Sequence, residues 1–224
     1  MKSSSCQIKV CGLTVVEEAI ACAEAGADAL GLVFYPPSSR FVSAGDAREI
    51  CANIPGGVCT VGVFVDAPID EIMKMAELCG LDFAQLHGCE SPAAVAALEA
   101  AGIAVIKTLF TKRQPYFSEA DSYPASAYLV ESGGGTLPGG AGLRWEWSGA
   151  RGLAAGLPCI LAGGLTPQNV CEAINEFAPA AVDVSSGVES APGRKDMKKV
   201  RAFIEEVRKA NPYSGKGRVF QCRK

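Results

Sequence analysis

Residues 8–34 read IKVCGLTVVEEAIACAEAGADALGLVF, and this stretch decides how the chain is built. Ile8–Cys11 is an apolar run of strand length. Thr14 followed by Glu17 has the form of a capping box opening a helix, and Gly26 stands where that helix should stop. Ala29–Phe34 is a second strand-length apolar run. Strand, helix and strand in this order form one unit of a parallel α/β architecture.

Moving outward, the alternation continues. Further strands are expected at Thr60–Val65, Phe83–Leu86, Val105–Leu109, Ala127–Glu131, Cys159–Ala162 and Val182–Val184. Ser91-Pro92 and Thr166-Pro167 each place an N-cap residue before proline at the first helical position. Val170, Ile174 and Phe177 mark one helical face, and Met197, Val200, Ile204 and Val207 mark another. Two helices are weakly signalled: Lys112–Ser126 carries Pro115 and Pro124, and Gly149–Gly156 is short. An open doubly wound sheet and a closed barrel both fit this alternation. A count of eight strands favours the barrel, so the fold class is α/β, a (β/α)8 TIM barrel in a single domain. Its boundaries are residues 1–210, followed by a basic tail, 211–224, read as disordered.

Composition is compatible with that fold. The 224 residues lie near the lower end of the barrel size range, and 49% are hydrophobic. A net charge of -3 supplies no basic face for nucleic acid. Met1–Val10 contains no apolar stretch of signal-peptide length, and no run long enough to span a membrane occurs. The ten cysteines include no CxxC, so they read as reduced, mostly buried and cytoplasmic. A single histidine, His87, excludes sites needing several His ligands from one chain. No metal or organic cofactor is called for.

Barrel chemistry sits at the C-terminal ends of strands and in the loops that follow. That rule selects Cys11, Arg40, Asp66, His87, Glu131 and Asp183. The Gly-rich stretch Ser132–Gly142 directly follows a strand and reads as an active-site loop, although Gly133–Gly135 matches no nucleotide-binding motif. The turns containing Gly163 and Gly164, and Ser185, Ser186 and Gly187, follow strands 7 and 8. Loops in those positions bind phosphate, because backbone N–H groups and a helix dipole favour an anion.

Five segments carry a family resemblance: KVCGLT at 9–14, ADALGLVFYPPSSRFVS at 27–43, QLHG at 85–88, LAGGLTP at 161–167 and VDVSSGVES at 182–190. In this order they resemble phosphoribosylanthranilate isomerase of tryptophan biosynthesis. The resemblance implies a cofactor-free conversion of N-(5-phosphoribosyl)anthranilate to 1-(2-carboxyphenylamino)-1-deoxyribulose 5-phosphate. It makes Cys11 the general base and Glu131 the general acid. Arg40 matches the arginine near the anthranilate carboxylate, Asp183 and His87 face the substrate, and Gly163, Gly164, Ser185, Ser186 and Gly187 hold its phosphate. Partners are then one phosphorylated small molecule, with no nucleic acid and no membrane, and assembly into a homo-oligomer is allowed.

Three residues depart from the family pattern. Glu131 stands at the usual Asp, Leu143 at the usual Lys of the loop after strand 6, and Cys89 at an acidic position after QLHG. The related sugar isomerase of histidine biosynthesis would carry a carboxylate where this chain has Cys11, and a binding-only barrel would need neither acid nor base. Acid-base chemistry asks for a thiolate at Cys11, whose free value lies near about 8.5, and a protonated Glu131, whose free value lies near about 4.3. Burial or the substrate's anionic groups are expected to raise the carboxyl.

Overall fold

A computed structural model describes residues 6–134, 145–147, 150, 151, 156–210 and 218–222. Eight parallel strands close on themselves in chain order: β1 Gln7–Cys11, β2 Ala29–Val33, β3 Cys59–Phe64, β4 Phe83–Leu86, β5 Ala104–Phe110, β6 Ala127–Glu131, β7 Cys159–Leu161 and β8 Ala181–Val184. The closing pair sets Lys9 beside Asp183 and Val10 beside Val184. Around them lie α1 Val16–Ala25, α2 Ala44–Asn53, α3 Ile69–Cys79, α4 Pro92–Ala100, α5 Val170–Phe177 and α6 Met197–Lys209. A short antiparallel pair, β9 Glu189–Ala191 and β10 Arg194–Lys195, follows β8. No helix among the described residues is long and apolar enough to cross a membrane.

Strand alternation sorts the side chains. Ile8 and Val10 of β1 point outward into the layer between barrel and helices, with Leu30, Leu32, Val182 and Val184. Gln7, Lys9 and Cys11 therefore point inward. The lower half of the interior is apolar, with Ala29, Cys59, Val61, Phe83, Ile106 and Leu129 in one cluster. Its upper half is polar, and the chemistry sits there.

Some helix starts differ from expectation. Thr14 does not cap α1; its hydroxyl donates to the Gly193 carbonyl at 2.9 Å, and Val15 occupies the N-cap with no side-chain bond. Ser91 caps α4 as expected, accepting from the Ala94 N–H, with Pro92 in the first turn. Helix α5 begins three residues past Pro167, because the Asn169 carboxamide accepts from the Thr166 N–H and holds a turn there. Between β5 and β6 only a 3-10 segment forms, Phe117–Ser122, in keeping with the prolines on either side. Most of the stretch expected as a short helix, Gly149–Gly156, lies outside the described residues, as do Leu143 and most of the Gly-rich loop.

The disorder expected for 211–224 does not extend to Arg218–Cys222. Residues 211–217, 223 and 224 lie outside the described residues, but Val219 and Phe220 are buried in the apolar cluster at the barrel floor. The Gln7 side chain grips the Phe220 backbone twice, donating to its carbonyl at 3.0 Å and accepting from its N–H at 2.9 Å. Phe220 meets Phe83 edge-on with ring centroids 5.9 Å apart. Arg218 pairs with Asp28 at 2.8 Å, and Cys222 is disulfide-bonded to Cys59 of β3. The cysteines are therefore not all reduced. The tail's charge drew the disordered reading, whereas its apolar pair decides where it goes.

Candidate active site

Cys11 ends β1 with its side chain inside the barrel, 7% exposed. Space for the thiol comes from Gly31 on the neighbouring strand, where any Cβ would stand 2.6 Å from Cys11 Sγ. Beneath the thiol, on the same strand face, lies Lys9. Its ammonium donates to Asp183 Oδ1 at 2.9 Å and is fully buried. Burial pushes the Cys11 thiol up, Lys9 pulls it down, and the balance remains above the ordinary value. Lys9 itself stays above its ordinary value despite burial, because Asp183 and Cys11 favour its charged form.

Glu131 ends β6 and also points inward, its side chain 12% exposed. Its Oε1 lies 3.3 Å from His87 Nε2. The other ring nitrogen of His87 faces two donors, Gln85 Nε2 at 2.9 Å and the Thr108 hydroxyl at 3.2 Å. Burial raises the Glu131 carboxyl, but His87 and then Arg113 outweigh it and hold the group below its ordinary value. The upward shift expected for Glu131 is therefore not found.

The turn bearing His87 is fixed from below. Glu90 accepts from the backbone N–H groups of Asp66 and Gly88, and from Lys107 Nζ at 2.6 Å. Asp66, a rim candidate, adopts a left-handed φ of 50° and accepts from the Cys89 N–H at 2.6 Å, so it braces this turn. Cys89 itself is exposed.

Arg40 reaches over the same mouth. Its guanidinium forks onto Glu189, with Nε–Oε1 at 2.8 Å and Nη2–Oε2 at 2.7 Å. Lys195 Nζ donates to the same Glu189 Oε1 at 2.8 Å. Burial would raise the Glu189 carboxyl, but these two cations keep it below its ordinary value. After β7, Gly163 and Gly164 adopt positive φ of 86° and 69°, and Gly163 packs beside Glu131 and Trp145. Gly187 packs so closely that a Cβ there would strike the Leu165 carbonyl. The turns after β7 and β8 thus meet backbone to backbone, presenting Ser185 and Ser186 beside the glycines.

The Cys11 thiol, the Glu131 carboxyl and the two apposed glycine turns all lie at the C-terminal end of the barrel strands. The family model described as N-(5'phosphoribosyl)anthranilate (PRA) isomerase matches residues 8–206. This chain belongs to that family. The isomerase of Desulfatibacillum aliphaticivorans is 53% identical over 201 residues, spanning 90% of this chain and 92% of the relative. The crystal structure of phosphoribosyl anthranilate isomerase from Thermotoga maritima has a TM-score of 0.84 at 35% identity, covering 91% of this chain and 99% of that one. A second structure of such an isomerase, in complex with reduced 1-(o-carboxyphenylamino)-1-deoxyribulose 5-phosphate, has a TM-score of 0.80 at 34% identity, with 91% and 99% covered. The chain is accordingly an isomerase of N-(5'-phosphoribosyl)anthranilate, in tryptophan biosynthesis.

Reading strand ends alone missed two charged residues of this isomerase. Lys9 was accessible through its spacing, since one residue, Val10, separates it from Cys11 and strand alternation puts both inside. Glu189 stands in a quoted motif, but its role as the shared anion for Arg40 and Lys195 needs the hairpin to fold back.

Proposed function

We propose that the mouth converts N-(5-phosphoribosyl)anthranilate to 1-(2-carboxyphenylamino)-1-deoxyribulose 5-phosphate by an Amadori rearrangement, with Glu131 as acid and Cys11 as base. The carrying observation is that these two side chains face inward from the C-terminal ends of β6 and β1. Glu131 protonates the furanose ring oxygen, and the ring opens to an iminium ion. The Cys11 thiolate then removes the C2′ proton, and the resulting enolamine tautomerises to the ketone. The substrate nitrogen serves as electron sink, so one acid and one base suffice.

The remaining residues position the substrate. The turns holding Gly163, Gly164, Ser185, Ser186 and Gly187 take the phosphate on backbone N–H groups. Arg40, preset by Glu189, meets the anthranilate carboxylate, and Asp183 and His87 line the sugar. The two anionic groups of the substrate add negative charge beside Glu131, which raises its carboxyl and lets it gain the proton that it later donates.

Turnover tests this assignment, followed by the change in anthranilate fluorescence. Glu131→Gln should lose several orders of magnitude in kcat, as should Cys11→Ser. Near-wild-type turnover in either variant would remove that residue from the mechanism.

A further inference from the structure

We infer that Lys9 is a positioning residue for the base: its buried ammonium stabilises the thiolate form of Cys11 against the burial that opposes it. This rests on the assignment of Cys11 as base. An ammonium inside a barrel is a costly choice, because its charge leaves water and each of its three N–H groups needs an acceptor. Asp183 takes one at 2.9 Å, and Cys11 stands two positions further along the same inward face of β1, above the ammonium. An apolar residue would fill the same volume beside the Asp183 strand without that cost. The cation therefore has work to do at the thiol.

The surrounding charges point the same way. Lys9 faces Cys11 from β1 itself and Asp183 from β8, while Lys195 from β10 and Arg40 from the loop after β2 also act on the thiol. Glu189 of β9 lies between Arg40 and Lys195 and pairs with both. Three cations thus stand against two carboxylates. With a neutral thiol the group carries one uncompensated positive charge in a buried setting; with a thiolate it is balanced. Gly31 of β2 adds no charge but lets the sulfur sit against the strand, next to Lys9.

The test is the ultraviolet absorbance of the Cys11 thiolate as a function of pH, taken as the difference from Cys11→Ser so that the other nine cysteines cancel. Lys9→Met should raise the midpoint by about one unit or more, the usual effect of removing an adjacent opposite charge. Asp183→Asn should lower it, since Lys9 then has the thiolate as its principal partner. Opposite displacements would not arise from a merely structural role. An unchanged midpoint in Lys9→Met, or displacement of both variants in the same direction, overturns the inference. If stranding Asp183 prevents Lys9→Met from folding, the double variant Lys9→Met/Asp183→Asn restores balance, and its midpoint must still exceed that of Asp183→Asn. Normal turnover in Cys11→Ser would instead sink the base assignment while leaving the titration result intact.

Discussion

Glu131 Oε1 and His87 Nε2 meet at 3.3 Å across the barrel mouth, joining the ends of β6 and β4. A carboxylate oxygen only accepts, so the hydrogen in this contact belongs to Nε2. Gln85 Nε2 then supplies its hydrogen to Nδ1, which fixes the ring and its tautomer. The acid is thus oriented through one imidazole, itself oriented by a carboxamide on the same strand.

Removing that imidazole should have a signed effect on pH dependence. Glu131 works only when protonated, so its activity is lost as pH rises through its pKa. His87 holds that pKa down. His87→Ala should therefore move the corresponding limb of the pH profile to higher pH, while kcat falls as the carboxyl loses its orientation. A limb that stays in place, measured by kcat/KM against pH, would mean that His87 does not set the acid.

The family's usual Asp makes a second test. Glu131→Asp withdraws the carboxyl by one methylene, about 1.5 Å. From 3.3 Å the His87 contact would then be lost. A misplacement of roughly 1 Å can cost about 100-fold, so kcat should fall on the order of 10- to 100-fold, with KM little changed. Equal or faster turnover in Glu131→Asp would show that the carboxyl is placed by something other than His87.

The strands were legible in the sequence because each is a buried apolar run bounded by turn residues, and β4 and β6 occur at the expected residues. Helix starts were less so, since they depend on which acceptor a hydroxyl finds. Thr14 found the Gly193 carbonyl, 179 positions away in sequence. Cys11, His87 and Glu131 were legible from strand ends and family motifs. Lys9 lies within a strand and not at its end, so the strand-end rule passed over it although its spacing from Cys11 marks it as inward-facing. The docking of Phe220 could not be read locally, because the floor that receives it is assembled from several strands.

Glu189 yields a stability prediction. Its carboxyl is 5% exposed and held down by Arg40 and Lys195. A carboxyl with a depressed folded-state pKa stabilises the fold above its unfolded value, about 4.3, and that stability is lost as pH falls through the folded value. Glu189→Gln leaves two cations without their anion, costing about 3 kcal/mol or more at neutral pH. Urea unfolding at neutral and acid pH should show the gap between wild type and variant shrinking with acidification. A gap that is constant with pH would show that the carboxylate charge is not what stabilises this corner.

The floor and the mouth of a barrel are separable, and the C-terminal segment exploits only the floor. Phe220 fills the apolar cluster, Gln7 holds its backbone, and Cys222 bonds to Cys59 across a sequence separation of 163 residues. A crosslink of this kind is worth about 2–4 kcal/mol. Because barrel chemistry lies at the opposite end, residues at the floor contribute stability and not turnover. Cys222→Ser should lower Tm by roughly 5–10 °C while kcat stays at the wild-type value. A dithiol reductant should lower the Tm of the wild type and leave that of Cys222→Ser unmoved, since only the former has this bond to lose. Phe220→Ala should lower Tm as well, by opening a void against Phe83 that the tail can only partly relieve by undocking. If both variants melt with the wild type, the segment rests on the floor without holding it.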